Sequence, residues 1–326
     1  MNSRRIQRRT VGIVGTGNVG AAAAYALFNQ RLASELVLLD TDTERAEGEA
    51  MDLMHGQTLV GSMTARAASG YAGLEGAQVV VVSAGAGQSS PDEGRLQLLE
   101  RNAEIFREIV AGLDAHAPDA IILVAANPVD GLTYVAQAES ERPPERVIGT
   151  GTLLDTARFR ALLGRRYGVD PRSVHAYILG EHGDSEVPIW SQATIGGRPL
   201  TGDEVLGIPF DEEAMQALFE EARNAAYEII RRKGHTDAAI GVVIARLVRA
   251  VLGDEKSVQP VSVRPAGAYD LPSDECLSLP CVVGRAGVEG RVLPDLSGEE
   301  RDKLHASAAV LEESLQNLRA GNRERG

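Results

Sequence analysis

Cysteine is scarce in this chain: its 326 residues include two, Cys276 and Cys281. They form neither a disulfide framework nor a CxxC pair, which fits a reducing cytoplasm. Long hydrophobic runs are also lacking, and none approaches the roughly 18 residues needed to span a bilayer. Positive charge is in deficit, with 33 Lys and Arg against 46 Asp and Glu and a net charge of -13. Nucleic acid and anionic membrane surfaces are therefore excluded as default partners. Internal repeats and low-complexity linkers are missing as well. The N-terminus "MNSRRIQRRT" is basic, but it has no apolar h-region or small-residue cleavage site and leads straight into "VGIVGTGNVG". It reads as a solvated tail and not as a targeting signal. The composition is ordinary for a folded soluble protein, 44% hydrophobic and 24% charged, and the length suggests two domains or lobes sharing a core.

The first half alternates two patterns. Thr10–Val14, "ELVLLD" (Glu35–Asp40), "AQVVVVSAG" (Ala77–Gly85) and "AIILVAANP" (Ala120–Pro128) read as strands. "NVGAAAAYALFNQ", "ERAEGEAMDLMHG" ending near Gly56, and a long segment from about Leu96 have helical spacing. Continuous Val/Ile/Leu runs suggest strands buried on both faces. The expectation is an α/β fold: a doubly wound parallel sheet of the Rossmann kind over residues 8–149. Beyond it the pattern changes to helices at Asp155–Tyr167, Asp211–Arg232, Asp237–Leu252 and Ser297–Leu318, mixed with strands such as "VHAYILG" and "SLSLPCVVG". Residues 150–326 are expected to form an α+β substrate domain packed tightly on the first.

Gly15-x-Gly17-x-x-Gly20 follows a strand and opens a helix. The first glycine allows a tight turn, the second lets backbone approach a pyrophosphate, and the third allows close helix–strand packing. The helix N-terminus adds free N–H groups and the positive end of its dipole. Asp40, at the end of the next strand, can accept hydrogen bonds from ribose hydroxyls and would repel a 2′-phosphate, which favours NAD over NADP.

"GEHGDSEVP" (Gly180–Pro188) sets His182 among glycines and carboxylates. Alone, a turn histidine is the simpler reading. In "LDTARFR", however, Asp155 and Arg158 are three apart and share a helix face. A guanidinium there can bind a substrate carboxylate through two parallel hydrogen bonds. A carboxylate on one ring nitrogen of His182 would fix its tautomer and favour the imidazolium. Spacing alone nominates Asp155 and Asp184 equally. Arg95 ends a Gly/Ser/Pro-rich loop just before a long helix, and a positive charge at a helix start is mildly unfavourable; this weighs towards function over a surface role.

The glycine motif, "GAGQSSPDEGRLQLLERN" (Gly85–Asn102), "NPVD" (Asn127–Asp130), "GTLLDTARFR" (Gly151–Arg160) and "GEHGDS" together closely resemble the L-lactate/L-malate dehydrogenase family, most strongly its bacterial L-lactate dehydrogenases. The match runs in order over nearly the whole chain. It implies an NAD site made of Gly15, Gly17, Val19, Gly20, Asp40, Arg45, Tyr71, Gly85, Ala86, Asn127 and Thr150. It also implies that Asp155 holds His182, which protonates a 2-oxo acid as hydride arrives and takes the proton back in reverse. Arg158 would bind the substrate carboxylate. Arg95 would polarise the carbonyl from a closing loop that expels water, and Asn127 would contact nicotinamide and substrate. A cytoplasmic homotetramer is the implied assembly, and no metal is implied.

Substrate choice follows from charge. Arg158 neutralises one carboxylate, and the second carboxylate of oxaloacetate would need another cation in the closed pocket. In the family, malate enzymes place an arginine at that position and lactate enzymes a glutamine; here Gln88 occupies it. Thr236, in "KGHTDAAIG", matches the small residue lining the same pocket, so pyruvate/L-lactate is the favoured pair. Gln88 and Arg95 are seven apart, one more than the usual bacterial spacing, which leaves Ser89 as an alternative selector. Asp237 and Ala238 also depart from the family's commoner aromatic or hydroxyl residues.

Arg160 and His175 match two positions that bind fructose 1,6-bisphosphate between subunits in allosteric bacterial members. The plainer reading is a helix-surface arginine and a strand histidine. Three competing functions remain: an L-malate dehydrogenase or a broad 2-hydroxy acid dehydrogenase, a nucleotide-sensing protein without chemistry, and an S-adenosylmethionine-dependent methyltransferase. Gln88 counts against malate. Retention of His182, Asp155, Arg158 and Arg95 counts against the other two.

Overall fold

The computed structural model describes residues 9–87, 95–272 and 275–324. The apolar runs of the first half form β1 (Thr10–Val14), β2 (Glu35–Leu39), β3 (Thr64–Ala68), β4 (Val79–Val82), β5 (Ile121–Val124) and β6 (Val147–Gly149). They lie in the order β3-β2-β1-β4-β5-β6, every neighbouring pair parallel. This is the doubly wound order, and the winding reverses between β1 and β4. Burial on both faces explains the lack of alternation: Val79 and Val81 enter one core while Val80 and Val82 enter another.

The connecting helices cover those faces: α1 (Asn18–Asn29), α2 (Thr43–His55), the short α3 (Gln57–Val60), α4 (Arg95–His116) and α5 (Val129–Glu139). Asp42 starts α2 by accepting from the Arg45 N–H, and Gly56 closes it, as the sequence suggests. On one face Ala23, Ala24 and Leu27 of α1 pack with β1 and with a helix from the second half. On the other, Phe106, Ile109 and Leu113 of α4 pack with Leu132 of α5.

The second half opens with α6 (Leu153–Tyr167), which carries Asp155 in its first turn, Arg165 and Arg166 in its last, and left-handed Gly168 beyond. Short strands follow: β7 (Val174–His175), β8 (Ile178–Leu179), β9 (Val187–Pro188), β10 (Thr194–Ile195), β11 (Arg198–Pro199), β12 (Glu204–Val205) and β13 (Ile208–Pro209). Then come α7 (Glu212–Lys233), α8 (Ala238–Gly253), β14 (Ser257–Val263), β15 (Leu277–Gly284), β16 (Gly287–Arg291) and α9 (Gly298–Glu324).

Two features differ from the sequence reading. The "VHAYILG" strand is broken, with β7 pairing to β10 and β8 to β9. Side chains of α6 and of Thr152, which caps it, replace a continuous ladder: Arg160 donates to the Ala176 carbonyl, Thr152 to the Ile178 carbonyl, and Thr156 accepts from the Ile178 N–H. The sheet also does not stop at β6. β14, β15 and β16 extend it antiparallel to nine strands, so the two halves share one sheet. The α1–α8 packing reinforces this, since a Cβ on Gly241 of α8 would lie 2.7 Å from the Ala22 carbonyl oxygen.

Candidate active site

A cleft of about 450 Å³ opens at the carboxyl ends of β1, β4 and β5, where the winding reverses. Val19, Ser83, Gly85, Ala86 and Asn127 line it from the first half; Asp155, His182, Glu186, Arg223 and Tyr227 line it from the second.

The three motif glycines occupy three different environments. Gly15 has φ +92°, and a Cβ on it would lie 2.4 Å from the Ala84 nitrogen. A Cβ on Gly20 would lie 1.9 Å from the Gly15 oxygen, so α1 can pack on β1 only without a side chain there. A Cβ on Gly17 would meet nothing within 4 Å among the described residues. Gly17 caps α1 without a side-chain hydrogen bond, and no acidic residue stands in the first turn. Open space beside uncapped N–H groups fits a dinucleotide pyrophosphate.

Asp40 Oδ2 accepts from the Thr16 backbone N–H at 2.5 Å and from the Thr16 hydroxyl at 2.9 Å, while Oδ1 accepts from the Asp42 N–H at 3.0 Å. Burial opposes its charge, but these donors outweigh it and hold the carboxyl below its ordinary value. A carboxylate fixed there is placed to take ribose hydroxyls on its remaining lone pairs. The Gly85–Ala86 loop is tied down by Asn102 of α4, which the sequence reading did not single out although it ends one of the quoted stretches. Asn102 is 1% exposed; its Oδ1 accepts from the Ala86 N–H at 2.8 Å and its Nδ2 donates to the Asn127 carbonyl at 3.0 Å.

The remaining cofactor candidates are dispersed. Thr150 follows β6, buried, with its N–H on the Val124 carbonyl at 2.9 Å. Arg45 is exposed on α2. Tyr71 lies in the β3–β4 connection with its ring against Gly112 of α4, outside the described lining of the cleft.

His182 sits in the loop closed by the β8–β9 hairpin, where Leu179 pairs with Val187. Its N–H donates to Asp130 Oδ2 at 2.7 Å, and the Ser262 hydroxyl donates to Asp130 Oδ1 at 2.5 Å. Its Nδ1 lies 2.7 Å from Asp155 Oδ2. Of the two carboxylates the spacing nominated, Asp155 is the one on the ring; Asp184 instead accepts from the Tyr227 hydroxyl at 3.0 Å. Asp155 Oδ1 takes the Arg158 Nη1 donor at 2.9 Å, so α6 presents one carboxylate held by two cationic side chains. Burial would lower the His182 pKa, but the charge and hydrogen bond of Asp155, helped by Asp130 and Glu186, raise it to about 9. Burial would likewise raise Asp155, yet His182 and Arg158 hold it below its ordinary value. Asp130, fully enclosed, is pushed up to about 6 by burial, against the donors Ser262 and His182. At neutral pH the site therefore holds an imidazolium whose Nδ1–H is committed to Asp155, leaving the other ring nitrogen to give or take a proton.

Gln88 lies outside the described residues, as does Ser89. Arg95 is the first residue of α4. Thr236 is half-buried in the turn between α7 and α8 and is not among the described cleft-lining residues. Arg160 and His175 are not among the described cleft-lining residues. Arg160 donates to the Ala176 carbonyl at 2.8 Å and lies over the Tyr177 ring, while His175 is exposed on β7.

Comparison with known proteins bears on the same residues. Residues 9–149 match the family described as lactate/malate dehydrogenase, NAD binding domain, and residues 152–321 its alpha/beta C-terminal domain. The chain is 70% identical over 316 residues to an L-lactate dehydrogenase of Salinibacter ruber, covering 97% of this chain and 99% of that protein. It is 49% identical over 307 residues to an L-lactate dehydrogenase of a Synechococcus species, covering 94% and 98%. Among solved structures it is similar to a lactate dehydrogenase from a Medee basin deep-sea metagenome library, with TM-score 0.91, 42% identity, and coverage of 95% and 99%.

Proposed function

The chain belongs to the lactate/malate dehydrogenase family, and on that premise we propose that this NAD-dependent dehydrogenase is an L-lactate dehydrogenase, reversibly reducing pyruvate to L-lactate. The observation that carries the chemistry is the Asp155–His182 contact at 2.7 Å within the cleft that both halves line. When bound, NADH supplies the hydride. His182 donates the proton to the carbonyl oxygen from its free ring nitrogen, and Asp155 keeps that nitrogen outward and the ring charged. Arg158, three residues from Asp155 on α6, pairs with the substrate carboxylate. Arg95, at the start of α4, polarises the carbonyl, and Asn127 meets substrate and nicotinamide. Gly15, Gly17, Val19, Gly20, Asp40, Gly85, Ala86 and Thr150, with Arg45 and Tyr71, form the cofactor half; residues 8–149 are its domain and 150–326 the substrate domain.

Gln88 and Thr236 set the preference for pyruvate over oxaloacetate. Arg160, which donates to the carbonyl of the residue after His175, and His175 itself form half of a fructose 1,6-bisphosphate site completed by a second subunit of a homotetramer. Two free, buried cysteines agree with a reducing cytoplasm, and no helix among the described residues is long and apolar enough to cross a membrane. The test is NADH oxidation with pyruvate or oxaloacetate, each with and without the sugar bisphosphate. Faster turnover with oxaloacetate would overturn the lactate reading, and indifference to the bisphosphate would remove the allosteric site.

A further inference from the structure

Beside the Asp155–His182 pair stands a third titratable group with no assigned part in the reaction. Glu186 is 5% exposed, immediately before β9, with its N–H on the Gly183 carbonyl at 3.3 Å. One of its carboxyl oxygens, one of Asp155's and a ring nitrogen of His182 all lie within 4.8 Å of one another. Glu186 Oε1 is fully buried and finds no hydrogen-bond partner among the described residues. Both Asp155 oxygens are already engaged by Arg158 and His182, so the trio does not present an open ligand set for a cation. Glu186 faces Asp155 and Arg158 from α6, His182 from its own loop, and Arg223 from α7. Arg223 itself is paired with Glu220, and Asp130 reaches the same loop from α5 through the His182 N–H.

We propose that Glu186 is a positioning residue held as an uncharged carboxylic acid, whose proton keeps the closed site neutral so that a 2-oxo acid anion can bind. The proposal rests on the dehydrogenase reading. With the substrate bound, the charges of His182, Arg158 and Arg95 balance those of Asp155, the ionised Asp130 and the substrate carboxylate. An ionised Glu186 would add an uncompensated anion in a site emptied of water, and a carboxylate with a buried oxygen that has no donor among the described residues favours its neutral form. Burial, then the charge of Asp155, push Glu186 up to about 9, against His182, Arg158 and Arg223. Loss of its proton and of the His182 proton therefore falls in the same alkaline range, and both losses disfavour the substrate anion.

The experiment is kcat/KM for pyruvate against pH for the wild type and Glu186→Gln, with NADH affinity as a check that the cofactor half is intact. The uncharged isostere should stay within about threefold of wild type at pH 7. Above pH 9 the wild type should fall by about 100-fold per pH unit and the variant by about 10-fold, because one ionisation is gone. The difference should appear in KM with kcat retained. Should Glu186→Gln not fold, calorimetry on the wild type in two buffers at pH 10 reads proton uptake when oxamate, a non-reducible isostere of pyruvate, binds the NADH complex. Uptake above one proton supports Glu186, and uptake of one or less overturns it. Equal alkaline slopes, or a loss above about tenfold at pH 7, would overturn the proposal while leaving the dehydrogenase reading intact. A wild type that does not turn over any 2-oxo acid removes the reading and the proposal together.

Discussion

Replacing Asp155 by Asn removes the charge that holds His182 protonated while keeping the side chain's shape. An Asn amide offers one acceptor and one donor group. It can receive either Arg158 or His182, but not both, and its NH₂ then faces a cation. With the carboxylate gone, burial, the largest single influence on the imidazole, draws its pKa down from about 9 towards the ordinary 6.5, against Asp130 and Glu186. The rise from 6.5 to about 9 corresponds to about 3 kcal/mol of preference for the imidazolium. At pH 8 a group with a pKa of about 9 is about 90% protonated, and one at 6.5 is about 3% protonated. The variant should therefore lose up to about 30-fold in kcat/KM for pyruvate at pH 8 from protonation alone, with further loss from the unfixed ring. The gap should shrink towards pH 5.5, because there even the lowered imidazole takes up its proton.

The same linkage reaches stability. A histidine whose folded pKa is raised stabilises the fold fully below about 6.5 and ceases to as pH rises through about 9. Wild-type stability in urea should decline between those values, and that of Asp155→Asn should be flatter. Steady-state kinetics from pH 5.5 to 10 and urea unfolding at both ends check the two halves. An alkaline limb still near pH 9 in the variant would refute the reasoning, since the proton would then belong to a group that Asp155 does not control.

Two further substitutions separate fold from function. Gly20→Ala should cost about 3 kcal/mol or more, because its Cβ would stand 1.9 Å from the Gly15 oxygen. The added methyl of Gly17→Ala meets nothing within 4 Å among the described residues, and the position has an ordinary φ of -63°, so the melting temperature should be unchanged. Its affinity for NADH should nevertheless fall by about tenfold or more, because the methyl occupies the cradle for the pyrophosphate; equal NADH binding would contradict that placement. Asn102→Ala should cost about 1–3 kcal/mol by leaving the Ala86 N–H without its acceptor. It should also raise KM for both NADH and pyruvate, as the loop and Asn127 come loose; thermal melts and initial rates test the two effects.

Much of this protein is local chemistry and is legible as such. The strands β1, β2, β4 and β5 are dense Val/Ile/Leu runs, and α2 and α7 carry their own caps in Asp42, Gly56, Asp211 and Gly234. The Gly15–Gly20 motif with Asp40 states its purpose within one strand–turn–helix–strand unit. Arg158 could be tied to Asp155 because the pair is three residues apart on one helix. The weaker strands were not legible: β3 is "TARAA" and β6 has three residues, and both owe their conformation to neighbouring strands. Nor does local sequence say that β14–β16 join the first half's sheet.

The choice of Asp155 over Asp184 for His182 was decided by packing. α6 and the β8–β9 loop meet through Thr152 and Thr156 on Ile178, which brings residues 27 apart to 2.7 Å, while Tyr227 of α7 draws Asp184 away. Asn102 and Glu186 were printed inside the very stretches that drew attention, yet an asparagine on a helix or a glutamate after a serine carries no local signal. Burial gave them their roles. It left Asn102 as the clamp of the cofactor loop and Glu186 with a carboxyl oxygen that has no donor among the described residues, because desolvation is a property of the assembled core and cannot be read from a residue and its neighbours in the chain.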